Sequence, residues 1–598
     1  MSEKNRPLFY IVVNLIIINV VILGVMNLRY PQVGHDYTLT IPSILDTVLH
    51  FRLNGLSIQW FTPTFGGGIP AFPNPNNGQF SLVILLAMVL PPWEAIMAST
   101  VIYLSAGFIA SYYFFRRTLS LYWTASILGA VFFTANGFFI SRVAPGQFGY
   151  ITFSLLVIFL IILLDKSIPI GMAGTLLGLI TAMYIHIAGY FIIIISGLSI
   201  LILLPLVFIY QPDLIQWKRI FAIATIGGVI GIAISVSKLA AVYSFTRYFP
   251  RFMADNYVTS PASGILGIIL ELMGTMSLVP IYLIAGLNPD LFPSLTRAMT
   301  DTHYGLWELD MAVTPVVFVI LLIGLVNFLH NRKKHLGKLN KNKTALLFFI
   351  IFLWIGIEFT LAKGFIYPLL KNLPILSSLR ANVRFASIFI FPLAFSAAII
   401  YSNWEKTLDA PKILRNFFVV NALALLPLSA YFLFNSDMYW AFYDVRPAEK
   451  IYSEIRNGDS FEVVGIGRPE GKNTGALLSR LSNLNLYEPI FGFQLENFHP
   501  QVTEGSIWNI SNGYYNMTDP TGFVYPELNQ NKPFERFRVK DKQTLEIFAK
   551  HLQPQWKIPT YQHVLDWVSG LTFLGALLYI LAHGIKKIKS RSKSHELV

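Results

Sequence analysis

The feature that most limits this chain is a recurring pattern of long apolar stretches separated by short loops. A helix needs about 20 apolar residues to cross the hydrocarbon core of a bilayer. Counted this way, twelve spans fall at 8–28, 93–115, 120–140, 150–164, 168–184, 190–210, 219–243, 306–329, 344–362, 385–402, 413–434 and 562–585. Basic residues gather in alternate loops: Lys4 and Arg6, then Arg116 and Arg117, Lys166, Lys218 and Arg219, and Lys406. The densest cluster is Arg332, Lys333, Lys334, Lys338, Lys341 and Lys343, and the tail after the last span carries Lys586, Lys587, Lys589, Arg591 and Lys593. Lys and Arg are retained on the cytoplasmic side, so both termini are expected there, in a multi-pass protein of the cell membrane.

Composition agrees and excludes two classes. The chain is 54% hydrophobic and 13% charged, against about 25% charged for soluble domains. The net charge of +13 is spread between spans rather than gathered in one patch, which argues against a nucleic-acid partner. There is no cysteine, so disulfides and thiolate metal sites are excluded. No small-residue cleavage pattern follows residues 8–28, which therefore read as a retained helix.

The expected fold is an all-α polytopic membrane protein with a small extracytoplasmic α+β domain near the C-terminus. Residues 1–435 form the membrane module, including a first outer loop at 29–80. Residues 436–560 are richer in charge, Asn and Gly and form the outer domain. Residues 561–598 hold the last span and the basic tail. Segment 80–90 is apolar but short, and 263–284 is apolar within a long outer region; both are expected to be re-entrant or surface-lying. Asn509-Ile510-Ser511 and Asn516-Met517-Thr518 fit the N-glycosylation pattern, which chance in an Asn-rich segment also explains.

The first outer loop carries most of the chemistry. Apolar residues at 41, 44, 45, 48 and 49 form a one-sided helical stripe suited to lying on a bilayer, with Ser43, Asp46, Thr47 and His50 off it. Asp36, just outside the first span, is a candidate general base; the alternative is a helix cap. His35, Tyr37 and Trp60 are candidate cavity residues beside it. Arg380 and Arg384 stand at i and i+4 at the outer mouth of the tenth span. Their guanidinium forks suit a phosphate, and anchoring or pairing with Glu308 or Asp310 is the alternative. Lys238, Arg247, Arg142 and His186 are further candidates on the same face. Glu308, Asp310 and Glu358 could pair with these cations, and Glu271 or Asp301 could be a second acid. The chain has no phosphate-cradling loop, no His-Glu-x-x-His and no Gly-x-Ser-x-Gly. No metal ligands are assigned and no particular cofactor is called for, and scattered carboxylates leave a divalent cation open.

Gly34-His35-Asp36, Leu53-Asn54-Gly55, Trp60, Pro63, Gly67-Gly68-Ile69-Pro70 and Asn74-Pro75 resemble the first outer loop of bacterial GT-C membrane glycosyltransferases, the YfhO-like group in particular. Leu373-Pro374, Leu379-Arg380 and Arg384-Phe385 extend the resemblance. It implies a sugar donor on a polyprenyl phosphate, an envelope glycan, lipid or protein as acceptor, and inversion at the anomeric carbon. It also implies Asp36 as base, with Arg380 and Arg384 on the donor phosphate; Lys238 and Arg247, on the same face, are the further candidates for that phosphate. His35, Tyr37, Trp60, His186, Glu308 and Asp310 would line the cavity. One departure is Pro145-Gly146-Gln147, where such proteins often carry a histidine. The rival readings are a flippase for lipid-linked sugars, expected to show interrupted helices in two similar halves, and a non-catalytic envelope assembly protein.

Overall fold

The computed structural model describes residues 5–26, 36–248, 311, 313–362, 364–373, 376–379, 382–434, 444–468, 477, 479–484, 502–532 and 534–595. Segment 263–284, Glu271 and Asp301 lie outside them. Among the described residues, eight helices are long and apolar enough to cross a membrane: Arg6–Val25, Pro92–Thr118, Tyr190–Tyr210, Trp217–Thr246, Lys343–Leu361, Arg384–Glu405, Ala410–Ala430 and Thr560–Ile585. Shorter apolar helices at Trp123–Thr134, Gly149–Leu164, Ile170–His186 and Pro315–His330 occupy the other expected positions. Large apolar side chains cover the outside of these helices, for example Trp567 at 71% exposure, Phe221 at 67% and Leu426 at 63%. A water-soluble bundle would hide such residues, and hydrocarbon tolerates them. The protein is a mostly helical, polytopic membrane protein.

The helices to Thr246 are α1 (Arg6–Val25), α2 (Tyr37–Asn54), α3 (Leu82–Ala87), α4 (Pro92–Tyr113), α5 (Trp123–Thr134), α6 (Gly137–Val143), α7 (Leu156–Leu164), α8 (Ile170–His186), α9 (Tyr190–Tyr210) and α10 (Trp217–Thr246). Small residues let α8 and α10 pack closely. A Cβ on Gly174 would stand 2.5 Å from Ile226, and one on Gly227 would stand 2.7 Å from Leu177. The last helix, Thr560–His595, is tied to α10 by polar side chains. Ser237 Oγ donates to Asp566 Oδ1 at 2.5 Å, and Gln562 Nε2 donates to the Ser237 carbonyl at 3.1 Å.

The loops expected on one side meet at one end of the bundle. Tyr10 stacks on Trp123, Thr124 donates to Glu405, and Tyr113 and Arg219 both bond to Asp165. At the other end, three expected spans depart from regular α-helix. The span at 120–140 stops at Thr134. Asn136 then caps a second helix, its Oδ1 accepting from Phe139 N at 3.2 Å. The next span opens as a 3-10 turn at Phe148–Leu155, and Asn382–Phe389 is a 3-10 segment leading into the helix Ile390–Glu405.

Helix α2 departs from expectation. It is not a stripe lying on a bilayer: Asp46, Thr47 and His50 are as buried as Ile44 and Leu45. The first loop and the C-terminal domain cover its polar face. Gln59 Nε2 donates to Asp46 Oδ2 at 2.7 Å, His551 Nδ1 lies 3.6 Å from Asp46 Oδ1, and Asn54 Nδ2 donates to the His551 carbonyl at 2.8 Å. A polar face reads as solvent-facing in sequence whether water or another domain satisfies it.

The domain boundary also moves. Strands β1 (Phe61–Thr62) and β2 (Ile69–Pro70) form an antiparallel hairpin in the first loop. Two three-stranded sheets follow in the C-terminal domain. One holds β3 (Gly465–Gly467) between β4 (Leu481–Asn483), parallel, and β5 (Gly505–Ser506), antiparallel. The other holds β7 (Tyr514–Thr518) between β6 (Ile510–Ser511) and β8 (Arg536–Arg538). The hairpin tip bonds to both sheets: Gly66 N donates to Asn483 O at 2.8 Å, and Thr518 N donates to Gly67 O at 2.9 Å. Gly66, Gly67 and Gly68 have φ of 59°, 72° and 107°, a region that favours glycine. Trp60, Phe61, Phe65, Ile69 and Phe72 share one core with Ile466, Met517, Phe537 and Phe548. The first loop and the outer domain are therefore one folded body built from segments about 400 residues apart in sequence. Asn516 is buried in it, its amide donating to the Thr503 carbonyl at 2.8 Å, which removes it as a glycosylation site in the folded protein.

Candidate functional site

Asp36 stands at the start of α2. Its carbonyl accepts from Leu39 N and Thr40 N, but its carboxylate makes no capping bond to the helix. The residue is instead fastened to the turn after α6. Asp36 N donates to the Pro145 carbonyl at 2.9 Å, and the Tyr37 hydroxyl donates to the Val143 carbonyl at 2.6 Å. Gly146 has φ 111°, and a Cβ there would lie 2.5 Å from Tyr37 N. Only glycine lets the two backbones meet this closely. Tyr37 is fully buried, edge-on to Trp93 at 5.3 Å. Burial, with the Asp36 charge beside it, pushes its phenol well above the ordinary range. Tyr37 is thus a fixed hydrogen-bond donor that positions Asp36, rather than a cavity wall as expected.

The side chains then form a connected path. Gln147 Nε2 donates to Asp36 Oδ2 at 2.9 Å, and Arg142 Nη1 donates to Gln147 Oε1 at 3.1 Å. The Arg142 guanidinium is fully buried and lies over the Tyr150 ring, 5.5 Å from its centroid. On that same ring sits Arg384, 5.4 Å from the centroid, with Nη1 donating to the Tyr150 hydroxyl at 2.7 Å. One tyrosine thus joins two guanidinium groups from segments about 240 residues apart in sequence. The three departures described above supply Arg142, Tyr150 and Arg384. Irregular backbone at membrane depth is tolerated only where protein or a cavity surrounds it, and here it surrounds these side chains. Arg384 lies in the 3-10 segment 382–389 rather than on a regular α-helix.

Compared with known proteins, the chain matches no family model and no curated protein.

The other sequence candidates divide. His35, Arg380, Glu308 and Asp310 lie outside the described residues. Lys238 is not placed to hold a phosphate. Its ammonium donates to the carbonyls of Phe72, Asn74 and Asn77 at 2.5, 2.8 and 3.2 Å and sits 4.9 Å from the Phe72 ring centroid. All three of its protons are used to pin the first loop to α10. Arg247 is exposed beside Tyr248, whose hydroxyl donates to Glu527 of the C-terminal domain at 2.6 Å. Trp60 is buried core, 5.7 Å from Phe72 and 6.3 Å from Tyr525 between ring centroids. His186 packs edge-on to Phe80 at 6.0 Å, beside the Lys238 pin. These departures share a cause: backbone carbonyls and aromatic rings satisfy cations and indoles without leaving any trace in the sequence.

Glu358 does not pair with a cation among the described residues. Its carboxylate accepts from Ile366 N at 2.7 Å, Tyr367 N at 2.8 Å and Trp354 Nε1 at 2.5 Å. It thereby shapes the turn that carries Tyr367, whose hydroxyl accepts from Asn382 Nδ2 at 2.8 Å, two residues before Arg384. Gln147 and Tyr150 were not singled out from sequence. The available signal was the Pro-Gly-Gln turn itself, at the position where the resemblance departs. Among the described residues, no group of three or more His, Asp or Glu side chains could hold a metal ion.

Chemically, the arrangement sets a carboxylate acceptor and fixed guanidinium donors at one end of the bundle. Such a set can accept a proton at one point and stabilise negative charge at another.

Proposed function

We propose that this protein is an inverting GT-C-type glycosyltransferase with twelve spans, both termini cytoplasmic and its site on the outer face of the cell membrane. It moves a sugar from a polyprenyl-phosphate donor to a hydroxyl of an envelope glycan, lipid or protein. The observation that carries this reading is the path from Asp36 through Gln147, Arg142 and Tyr150 to Arg384. Asp36 takes the proton of the acceptor hydroxyl as its oxygen attacks the anomeric carbon. The bond from that carbon to the phosphate oxygen breaks, and the lipid phosphate leaves with the electron pair. Arg384, with Arg380, holds the charge that develops there, the kind of stabilisation that dominates many enzyme reactions. Gln147 orients the carboxylate, and Arg142 is the buried support that joins the two halves. No step in this scheme requires a metal ion.

A flippase for lipid-linked sugars is the second reading, favoured by the three irregular spans around the same side chains. Asp36→Asn separates the two. In membranes supplied with polyprenyl-phosphate sugars, this variant should lose sugar transfer by about 10²–10⁴-fold while still binding polyprenyl phosphate at normal protein level. Undiminished transfer by Asp36→Asn would remove the base and leave the transport reading.

A further inference from the structure

The end of the bundle opposite Asp36 holds a cleft that the proposed chemistry does not use. Helix α4 begins beside Tyr37 and runs 22 residues, about 33 Å at the usual rise, so its far end lies a membrane thickness away. There the helix widens into a π-turn at Phe114–Thr118. Such turns are uncommon and often mark binding sites. The turn leaves Arg116 and Arg117 adjacent in sequence, both exposed, beside a cleft of about 500 Å³ lined by Tyr112, Tyr113, Arg116, Arg117 and Ser120.

The partners of these groups show what the cleft lacks. Arg116 Nη1 donates to the Leu121 carbonyl at 2.8 Å, which fixes the arm on a neutral acceptor. Among the described residues, neither Arg116 nor Arg117 forms a salt bridge with a carboxylate. Asp165 stands at the edge of the cleft, where its carboxylate accepts from the Tyr113 hydroxyl at 3.2 Å and from Ser167 N at 2.8 Å. Charge bias alone accounts for basic residues at this end, but it does not account for a cleft that sets two guanidinium groups beside the Ser120 hydroxyl. Guanidinium forks with hydroxyl donors match a phosphate, and basic clefts between helices at a membrane surface suit lipid headgroups.

We propose that this cleft binds a phosphate group, as the headgroup of an anionic phospholipid or as free phosphate. The site is independent of the transfer chemistry and stands if that reading fails.

The test uses the full-length protein in neutral detergent, titrated with short-chain phosphatidylglycerol, with inorganic phosphate and with short-chain phosphatidylcholine, read by native mass spectrometry. Wild type should bind phosphatidylglycerol above phosphatidylcholine, and Arg116→Gln/Arg117→Gln should weaken this about 10- to 100-fold. Arg117→Gln alone, which leaves the Arg116 bond to Leu121 intact, should show part of the loss. Binding of phosphatidylglycerol without phosphate identifies the lipid headgroup as ligand; equal binding of phosphate identifies the free anion. Lys218→Gln/Lys406→Gln, which removes two charges outside the cleft lining, should bind as wild type does. Equal loss in that control, or no loss in either arginine variant, overturns the proposal.

Discussion

Two sets of buried or half-buried ionisable side chains sit in this protein, and they are satisfied in different ways. Lys238 and Glu358 spend their charges on backbone groups: three carbonyls in one case, consecutive amides in the other. Asp36, Arg142 and Arg384 are joined to one another through side chains, by way of Gln147 and Tyr150. A charge fixed on backbone holds a loop in shape and cannot turn to a ligand without unfolding it. A charge held through an amide or a phenol can change partners at small cost. The difference separates scaffold from candidate site better than burial does, since Lys238 and Arg142 are equally hidden.

The contrast breaks if the scaffold cation proves functional. Lys238→Met should lower stability by about 3 kcal/mol, roughly 1 kcal/mol for each carbonyl left without its donor. Thermal unfolding in detergent reads this, and the folded fraction should keep its affinity for polyprenyl phosphate. Arg384→Ala should do the reverse. Donor affinity falls about 10- to 100-fold, acceptor use by the remaining activity is unchanged, and the melting temperature stays near wild type. Equal loss of donor and acceptor use would make Arg384 structural.

The smallest effect concerns the seam where α2 meets the outer domain. Burial holds both His50 and His551 below the ordinary imidazole value, even with Asp46 close by. In the unfolded chain they titrate near the ordinary value of about 6.5. Below that pH the unfolded state binds more protons than the folded one, so stability falls as pH drops from about 6.5 towards the depressed folded values. Above it the contribution is complete. The slope is at most about 1.4 kcal/mol per pH unit for each histidine. His551 has φ 58°, a conformation asparagine accepts, so His551→Asn should flatten the pH profile of unfolding without unfolding the domain.

The apolar periodicity and basic loops made the helices legible, because span length and charge bias are properties of single segments. Asp36 and Arg384 were legible for a similar reason: a carboxylate and a guanidinium stand out beside apolar runs. What could not be read was pairing across the chain. Nothing local says that Trp60 will pack on Tyr525, that Lys238 will meet the Phe72 carbonyl, or that the polar face of α2 will be covered by His551. The departures at Asn136 and before Ile390 left weak signals, the Asn136-Gly137 turn dipeptide and the polar Asn382 and Arg384, which long apolar flanks outweigh in a count of spans. Gln147 and Tyr150 look ordinary in sequence and matter only because those departures bring them between Asp36 and Arg384.

If Asp36 and Arg384 serve one site for a lipid phosphate, a ligand bound through Arg384 shields position 36. The chain has no cysteine, so Asp36→Cys places a single thiol at that position. Polyprenyl phosphate should slow labelling of this thiol by a small charged reagent, and the protection should disappear when Arg384→Ala is added. Labelling that ignores the lipid, or protection that survives the loss of Arg384, would contradict the shared site.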